Sequence, residues 1–312
     1  MRKIGWRTIA RSVGAGFSRK PIRLTDAERT KSRPRVIELG NLEIHAWHGC
    51  NLSCESCSHY SPLSIQGGPT AAQCAQWIDA WSGRLRPWVF SILGGEPTLN
   101  RDLAKIVEHA LAAFPNSRIR LSTNGFLLNK HVELPEVMMR AADRVILEIS
   151  VHHGSAEFQE KFAKVRSLAD RWRREHGITI EIKDSYNRWT RRYHVRSGEI
   201  IFPNGSPRAA WNVCLGKHCK QLFLGKIWKC PPITYFGLMQ RSIAVEDSWR
   251  RLAASYRPLE PTCNDEELAS FFVLEEENVC RLCPNTLERF DLPNPMSRGG
   301  TVMDATDQSS RA

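Results

Sequence analysis

The chain has 312 residues, of which 42% are hydrophobic, enough to bury one large core or one core with a small appended domain. This composition excludes a disordered or fibrous protein. The formal net charge of +11 would suit a nucleic-acid binder, but residues 1–35 alone hold eleven Lys and Arg against Asp26 and Glu28. The remainder of the chain is therefore nearly neutral.

Residues 1–35 form a basic N-terminal lead-in with no apolar run long enough for a signal peptide or a spanning helix. We expect a solvated tail, while a transit peptide or a contact with an anionic surface stay open as alternatives. We also expect a cytoplasmic protein with no membrane span. Ten cysteines without a secretory signal favour metal ligation over disulfides.

Strand-like and helix-like segments alternate from about residue 36 to 202. Large apolar and β-branched residues predict strands at 42–47, 88–93, 118–122, 144–150 and 178–183, with a sixth at 198–202. Helical patterns lie between them at 70–82, 101–114, 133–142 and 155–176, with Asn100 and Ser155 at expected N-cap positions. The alternation predicts an α/β fold with a parallel sheet, closed or partly closed into a TIM-like (β/α)6 barrel over residues 36–205.

Four polar or Gly-rich loops follow the first four predicted strands. They contain HGCNLSCESC, GGEP, TNG and VHHG. Loops at the carboxyl ends of parallel strands converge on one side of the sheet, so these four should face one cavity.

The first of these loops carries Cys50, Cys54 and Cys57 in a C-x3-C-x2-C pattern. Three cysteines on a 4Fe-4S cubane leave one iron open to a ligand, whereas zinc would need a fourth ligand such as His48 or His59. The spacing resembles that of the radical SAM superfamily. The resemblance implies that the open iron binds S-adenosylmethionine and that the cluster reductively cleaves it to a 5′-deoxyadenosyl radical.

Further residues fit the same resemblance. Gly94, Gly95, Glu96 and Pro97 match the GGEP motif, which is expected to bind the methionine amino group, with Gly allowing close approach of backbone to ligand. Ser122 and Asn124, and Glu148 and Ser150, are expected near the ribose or carboxylate of the cofactor, although Ser and Asn also form turns at strand ends. The residue before the third cysteine is usually aromatic and contacts adenine; here it is Ser56, which leaves adenine to backbone or to Tyr60.

His152 and His153 follow the fourth strand, where a substrate would lie over the cofactor. Either is a candidate acid or base, and the alternative is an ordinary loop histidine with local hydrogen bonds. His45, on the first strand, is read as a barrel residue.

A second cysteine group follows the barrel. Cys214, Gly225 and Cys230 give C-x10-G-x4-C, and Cys280 and Cys283 add C-x2-C. This resembles the twitch domain, a short form of the SPASM domain, which holds an auxiliary 4Fe-4S cluster. We assign it to residues 206–292, with ligands Cys214, Cys230, Cys280 and Cys283; Cys219 in place of Cys214 and a four-cysteine zinc site stay open. Residues 293–312 are predicted to be a disordered tail.

The resemblance implies a radical SAM enzyme of oxidoreductase or mutase type that takes hydrogen from a substrate carbon and receives electrons from a flavodoxin or ferredoxin. We expect a small or carrier-bound metabolite, sugar-like or nucleotide-like, because only about 35 residues precede the first strand, too few for a peptide-recognition domain. A peptide maturase is the first alternative. A zinc-binding nucleic-acid module is the second, disfavoured because the basic charge lies away from the cysteines.

Overall fold

The computed structural model describes residues 35–63 and 65–296. The predicted lead-in therefore lies almost wholly outside the described residues, as does most of the predicted tail. Residues 36–63 and 65–296 belong to one compact unit.

Strands and helices alternate through the first part of this unit. The strands are β1 (Ile37–Trp47), β2 (Leu85–Gly94), β3 (Arg118–Thr123), β4 (Val145–Val151) and β5 (Thr179–Asp184). The helices between them are α1 (Ala71–Ser82), α2 (Leu103–Ala113), α3 (Leu134–Met139) and α4 (Ala156–His176). Two short strands follow, β6 (His194–Arg196) and β7 (Glu199–Ile201).

The second part is built from shorter elements. It contains α5 (Pro207–Val213), β8 (Cys219–Phe223), β9 (Lys226–Trp228), α6 (Pro231–Thr234), α7 (Phe236–Met239), α8 (Asp247–Ser255) and α9 (Asp265–Val273). Single 3-10 turns occur at Pro97–Leu99, Leu128–Lys130, Tyr186–Arg188 and Asn278–Leu282.

Within the described residues the main sheet has seven strands in the order β5-β4-β3-β2-β1-β8-β9. All neighbours are parallel except β8 and β9, which form an antiparallel hairpin. Leu224 and Gly225 turn that hairpin with φ of 53° and 73°, a left-handed conformation that favours Gly. The α/β class with a parallel sheet is thus confirmed, and the sheet is not closed.

The sixth predicted strand lies elsewhere than expected. Residues 199–201 do form a strand, but it pairs antiparallel with β6 in a separate two-stranded sheet. The position beside β1 is occupied instead by β8, from the cysteine-bearing second part of the chain, with Asn41 opposite Cys219. The prediction of a sixth barrel strand at 198–202 was therefore wrong.

Local sequence explains most helix boundaries. Thr70 and Gln73 form a capping box at the start of α1, and the Ser155 hydroxyl accepts a hydrogen bond from the Phe158 amide at the start of α4. Asn100 was expected to cap α2, but that helix begins after Asp102. The Asn100 side chain instead donates to the Ala46 carbonyl, linking the loop after β2 to β1.

Candidate active site and cysteine centres

The cysteine loop leaves the sheet at Trp47, where β1 ends. Cys54 is buried, and Cys50 and Cys57 are half-buried. Burial raises the pKa of all three thiols, and negative charge on neighbouring thiolates raises the pKa of Cys54 further. Three thiols buried together favour a bound cation or cluster, because without one their ionised forms would repel one another.

The GGEP loop is bonded directly to the backbone of the cysteine loop. The Gly95 amide donates to the Trp47 carbonyl at 2.9 Å, and the Glu96 amide donates to the Gly49 carbonyl at 2.8 Å. A Cβ atom on Gly94 would lie 2.1 Å from the Trp47 carbonyl oxygen, and one on Gly95 would lie 2.1 Å from that of Gly49. The two glycines are thus required by close packing of two protein loops, a reason that the sequence did not reveal.

Glu96 joins the GGEP loop to the loop after β3. Its side chain is 1% exposed and accepts hydrogen bonds from the Thr98 amide at 3.0 Å, the Thr123 hydroxyl at 2.5 Å and the Asn124 amide at 2.8 Å. Burial raises the pKa of this carboxyl group, and the hydrogen bonds oppose the rise. One carboxylate therefore joins two segments of the site, and the Glu96 backbone amide joins them to the cysteine loop.

Asn124 completes the link back to the cysteines. Its side-chain amide donates to the Asn51 side-chain oxygen at 2.6 Å and lies 4.0 Å from the Cys50 sulfur. Pro97, the last residue of GGEP, is buried at the start of a 3-10 turn. The loops after β1, β2 and β3 thus meet, as the sequence predicts.

Ser122, Glu148 and Ser150 lie on neighbouring strands. Ser122 donates to Glu148 at 3.2 Å, and Glu148 also pairs with Lys183 of β5. Side chains alternate along β4, so Glu148 and Ser150 share its half-buried face. The sequence did not foresee Lys183 as the partner of Glu148, because a pairing between strands is set by register.

The two histidines after β4 differ in their surroundings. The His152 Nδ1 atom lies 3.4 Å from the Cys54 sulfur, and burial lowers the pKa of this imidazole to about 4. His153 instead lies 2.9 Å from the Ser155 hydroxyl, and the Ser155 amide donates to its ring. His152 thus lies at the cysteine loop, whereas His153 makes local hydrogen bonds at the start of α4.

A segment that the sequence did not single out covers the cysteine loop. The Trp189 indole N–H donates to the Glu55 carbonyl at 2.7 Å, and the Arg191 guanidinium pairs with the Glu55 carboxylate at 2.6 Å. The buried Ser56 hydroxyl accepts from the Arg192 and Tyr193 amides. Ser56, where the family usually has an aromatic residue, therefore fixes this segment to the loop.

The C-terminal cysteines are close enough to influence one another's pKa. Burial raises the pKa of the Cys230 thiol, and the thiolates of Cys283, Cys214 and Cys280 add to the rise. Burial raises the pKa of Cys283 to about 12, with Cys214 and Cys280 again contributing. The four cysteines expected as ligands thus lie within electrostatic reach of one another.

Cys219 lies on β8, and Glu43 of β1 dominates its surroundings. Burial raises the pKa of the Cys219 thiol, and the Glu43 carboxylate raises it further, while its coupling to Cys214 is weaker. Cys74 is fully buried on α1, and Cys263 lies 3.3 Å from the Arg84 guanidinium.

Three histidines lie beside the cysteine loop, of which His45 and His48 are buried and His59 is half-buried. His45 stacks on Tyr235 with ring centroids 3.8 Å apart, and its Nδ1 atom is 3.4 Å from that of His48. The ring centroids of His45 and His59 are 4.8 Å apart. Burial lowers the pKa of all three, to about 4 for His48 and about 3 for His59, so they stay neutral at pH 7.

Among residues 35–63 and 65–296, no three His, Cys, Asp or Glu side chains are arranged to hold a single metal ion. The donor chemistry of Cys50, Cys54 and Cys57 nevertheless fits a cubane cluster, since they are three thiols on one loop, one buried and two half-buried. No helix within the described residues is long and apolar enough to cross a membrane.

Comparison with known proteins agrees with this geometry. Residues 44–175 match the model of the radical SAM superfamily. This part of the chain is a radical SAM domain. It spans the cysteine loop, GGEP and the loops after β3 and β4. The cofactors of radical SAM domains are a 4Fe-4S cluster and S-adenosylmethionine.

Two curated relatives are mycofactocin maturases MftC. The protein from Mycobacterium ulcerans is 32% identical over 150 residues, covering 45% of this chain and 38% of that protein. The protein from Mycobacterium tuberculosis is 32% identical over 141 residues, covering 42% and 34%. The match thus spans less than half the length of these relatives. Among solved structures, BtrN in complex with AdoMet and 2-DOIA aligns with 83% of this chain and all of that chain, at 15% identity and a TM-score of 0.46.

Proposed function

We propose that this chain is a radical SAM enzyme that modifies a peptide. The observation that carries the enzymatic part is the junction at Glu96, where one buried carboxylate joins the GGEP loop to the loop after β3, beside the cysteine loop. The maturase relatives favour a peptide over the sugar-like or nucleotide-like metabolite expected from the sequence.

Cys50, Cys54 and Cys57 would hold the cluster, which supplies the electron that cleaves S-adenosylmethionine. The close-packed Gly94 and Gly95 fix the GGEP backbone against the cysteine loop. Asn124, bonded to Asn51, positions the loop after β3 beside Cys50. His152, 3.4 Å from the Cys54 sulfur, is half-buried and neutral at pH 7 and would shield the cluster from water rather than exchange protons with a substrate.

We further propose that Cys214, Cys230, Cys280 and Cys283 hold an auxiliary 4Fe-4S cluster in a twitch-like segment. Their mutual electrostatic coupling supports this set of four. Four thiolates close such a cluster and suit it to electron transfer. A flavodoxin or ferredoxin would supply the first electron in the cytoplasm, where thiols stay reduced.

Cofactor cleavage tests the first cysteine group. After anaerobic reconstitution, Cys54→Ala should abolish formation of 5′-deoxyadenosine from S-adenosylmethionine and dithionite, because a cluster with two protein ligands is not retained. Cys74→Ala, which removes a buried thiol of α1 outside both groups, is the matched control and should retain cleavage. Undiminished cleavage by Cys54→Ala would contradict the assignment.

Isotope transfer tests the substrate class. Extract from the source organism grown in deuterated medium is divided into peptide and small-metabolite fractions and incubated with enzyme, S-adenosylmethionine and dithionite. Hydrogen abstraction from the substrate transfers deuterium into 5′-deoxyadenosine, which mass spectrometry detects. We expect transfer from the peptide fraction that is lost after protease treatment. Transfer confined to the protease-resistant metabolites would favour the metabolite instead.

A further inference from the structure

Two buried tyrosines lie beside the loop of Cys50, Cys54 and Cys57. Tyr193 is 3% exposed, and its hydroxyl donates to the Cys57 carbonyl at 3.1 Å. Tyr60 is 1% exposed, and its amide donates to the same carbonyl at 3.0 Å. The two rings are 5.4 Å apart between centroids and tilted by 40°. Both tyrosines are thus hydrogen-bonded to Cys57, a cysteine of the first group.

The pair shares an apolar cluster with residues of the second cysteine group. Tyr60 and Tyr193 belong to one apolar cluster with Val279 and Leu282, which flank Cys280 and Cys283 in the chain, and Cys230 packs against this cluster.

Tyr60 also adopts an unusual backbone conformation. Its φ of 57° lies in the left-handed region, which costs a non-glycine residue about 1–3 kcal/mol and persists only when the surrounding structure enforces it. The surrounding structure, which includes the Tyr193 ring with its centroid 5.4 Å away, therefore enforces this conformation.

We propose that the Tyr60–Tyr193 pair is the path by which one electron passes between the two cysteine-held clusters, an inference that rests on the proposed function. One electron leaves the reduced auxiliary cluster and reduces the oxidised cluster at Cys50, Cys54 and Cys57. No bond or proton is exchanged in this transfer. The path consists of two aromatic rings whose centroids are 5.4 Å apart.

Loss of the reduced auxiliary signal tests the path. Anaerobic protein with both clusters reduced is freed of dithionite and mixed with S-adenosylmethionine. The cofactor accepts one electron, and its C–S bond breaks to give methionine and a 5′-deoxyadenosyl radical. This radical then takes up a hydrogen atom and is detected as 5′-deoxyadenosine. In the parent protein the electron paramagnetic resonance signal of the auxiliary cluster should decay as this product forms. In Tyr60→Leu and Tyr193→Leu the auxiliary signal should persist, while the other cluster is still oxidised.

Three further variants separate the path from packing. Tyr60→Phe and Tyr193→Phe keep the rings, so the auxiliary signal in these variants should decay as it does in the parent protein. Phe202→Leu removes a ring that packs against both tyrosines but does not lie between them. The auxiliary signal in this variant should also decay as in the parent protein. If the leucine variants bind less iron, Tyr60→Met and Tyr193→Met replace them, since methionine fills irregular space.

The iron content separates the possible failures. Parent protein with about eight irons per chain and normal signal decay in iron-replete leucine or methionine variants would overturn this inference alone. A parent signal that does not decay would overturn it as well. Parent protein with about four irons would overturn the auxiliary cluster, and this inference with it.

Discussion

Glu96 connects two loops of the candidate site through its buried carboxylate. Its two oxygens accept hydrogen bonds from Thr98, Thr123 and Asn124, although burial alone would favour the uncharged acid. A buried acceptor that loses a donor costs more than an average hydrogen bond contributes. Glu96 therefore has a structural role in addition to the ligand-binding role expected from its motif.

Glu96→Gln should be destabilising. In either orientation, the amide NH2 of Gln would face one of two backbone donors, the Thr98 or the Asn124 amide. We expect a loss of about 1–3 kcal/mol in the free energy of unfolding, measured by urea denaturation under anaerobic conditions. Glu108→Gln, at an exposed ion pair with Arg140, is the control and should change stability little. Equal stability of the two variants would contradict this role.

Cys214 and Cys219 present the clearest choice between neighbouring residues. Cys214 contributes to the raised pKa of both Cys230 and Cys283, whereas Cys219 is influenced mainly by burial and Glu43. We expect Cys214→Ala to reduce the iron content from about eight to about four per chain, and Cys219→Ala to leave it unchanged. The reverse result would make Cys219 the ligand.

At the scale of elements, the contact between the GGEP loop and the cysteine loop is the most constrained. Gly95→Ala would bring a Cβ atom within 2.1 Å of the Gly49 carbonyl oxygen, and backbone cannot yield as a flexible side chain does. We expect lower iron content after reconstitution and weaker binding of S-adenosylmethionine, measured by iron assay and calorimetry. Gly83→Ala, where a Cβ would meet nothing within 4 Å, is the matched control. Normal iron content in Gly95→Ala would contradict the steric argument.

The sequence predicted elements whose patterns are local. Alternating or continuous apolar residues marked β1 to β5, and Ser155 marked the start of α4. Pairing over long distance was not predictable in the same way. β8 contributes to the main sheet because Cys219 to Leu222 lie in register with Asn41 to Ile44, and nothing in either segment alone specifies that partner.

The candidate site, like the fold, was predictable only in its local sequence motifs. Its motifs are local and visible, but the segment from Trp189 to Tyr193 contacts the cysteine loop from more than 130 residues away along the chain. Its density of Arg and aromatic residues was the available signal, and that pattern is equally typical of an exposed loop. The role of Ser56 in holding this segment was unpredictable for the same reason.

At the scale of the whole molecule, β8 joins the two cysteine groups to one sheet. β1 leads into the loop of the first group, and β8 and β9 connect Cys219 to Cys230 in the second. Buried histidines and Tyr235 fill the space beside this junction, with His45 stacked on Tyr235. The stability of the junction should therefore depend on the protonation of His45.

Stability should fall as the pH falls below about 6.5, the ordinary pKa of histidine. Burial holds the pKa of His45 well below that value in the folded state, and repulsion from His59 and His48 in their protonated forms would lower it further. The unfolded state therefore binds more protons in this range, which makes the free energy of unfolding rise with pH. Between pH 7.5 and 5.5 one such histidine accounts for a loss of about 1.4 kcal/mol.

His45→Phe keeps an aromatic ring on Tyr235 and should reduce this loss by about that amount in anaerobic urea denaturation at the two pH values. Tyr235→Phe removes the hydroxyl that donates to Gln221 but leaves the number of histidines unchanged. It should lower stability equally at both pH values, because neither the phenol nor its replacement titrates in this range. An unchanged pH dependence in His45→Phe would mean that His45 binds a proton in the folded state, and that its burial between His48, His59 and Tyr235 does not keep it neutral.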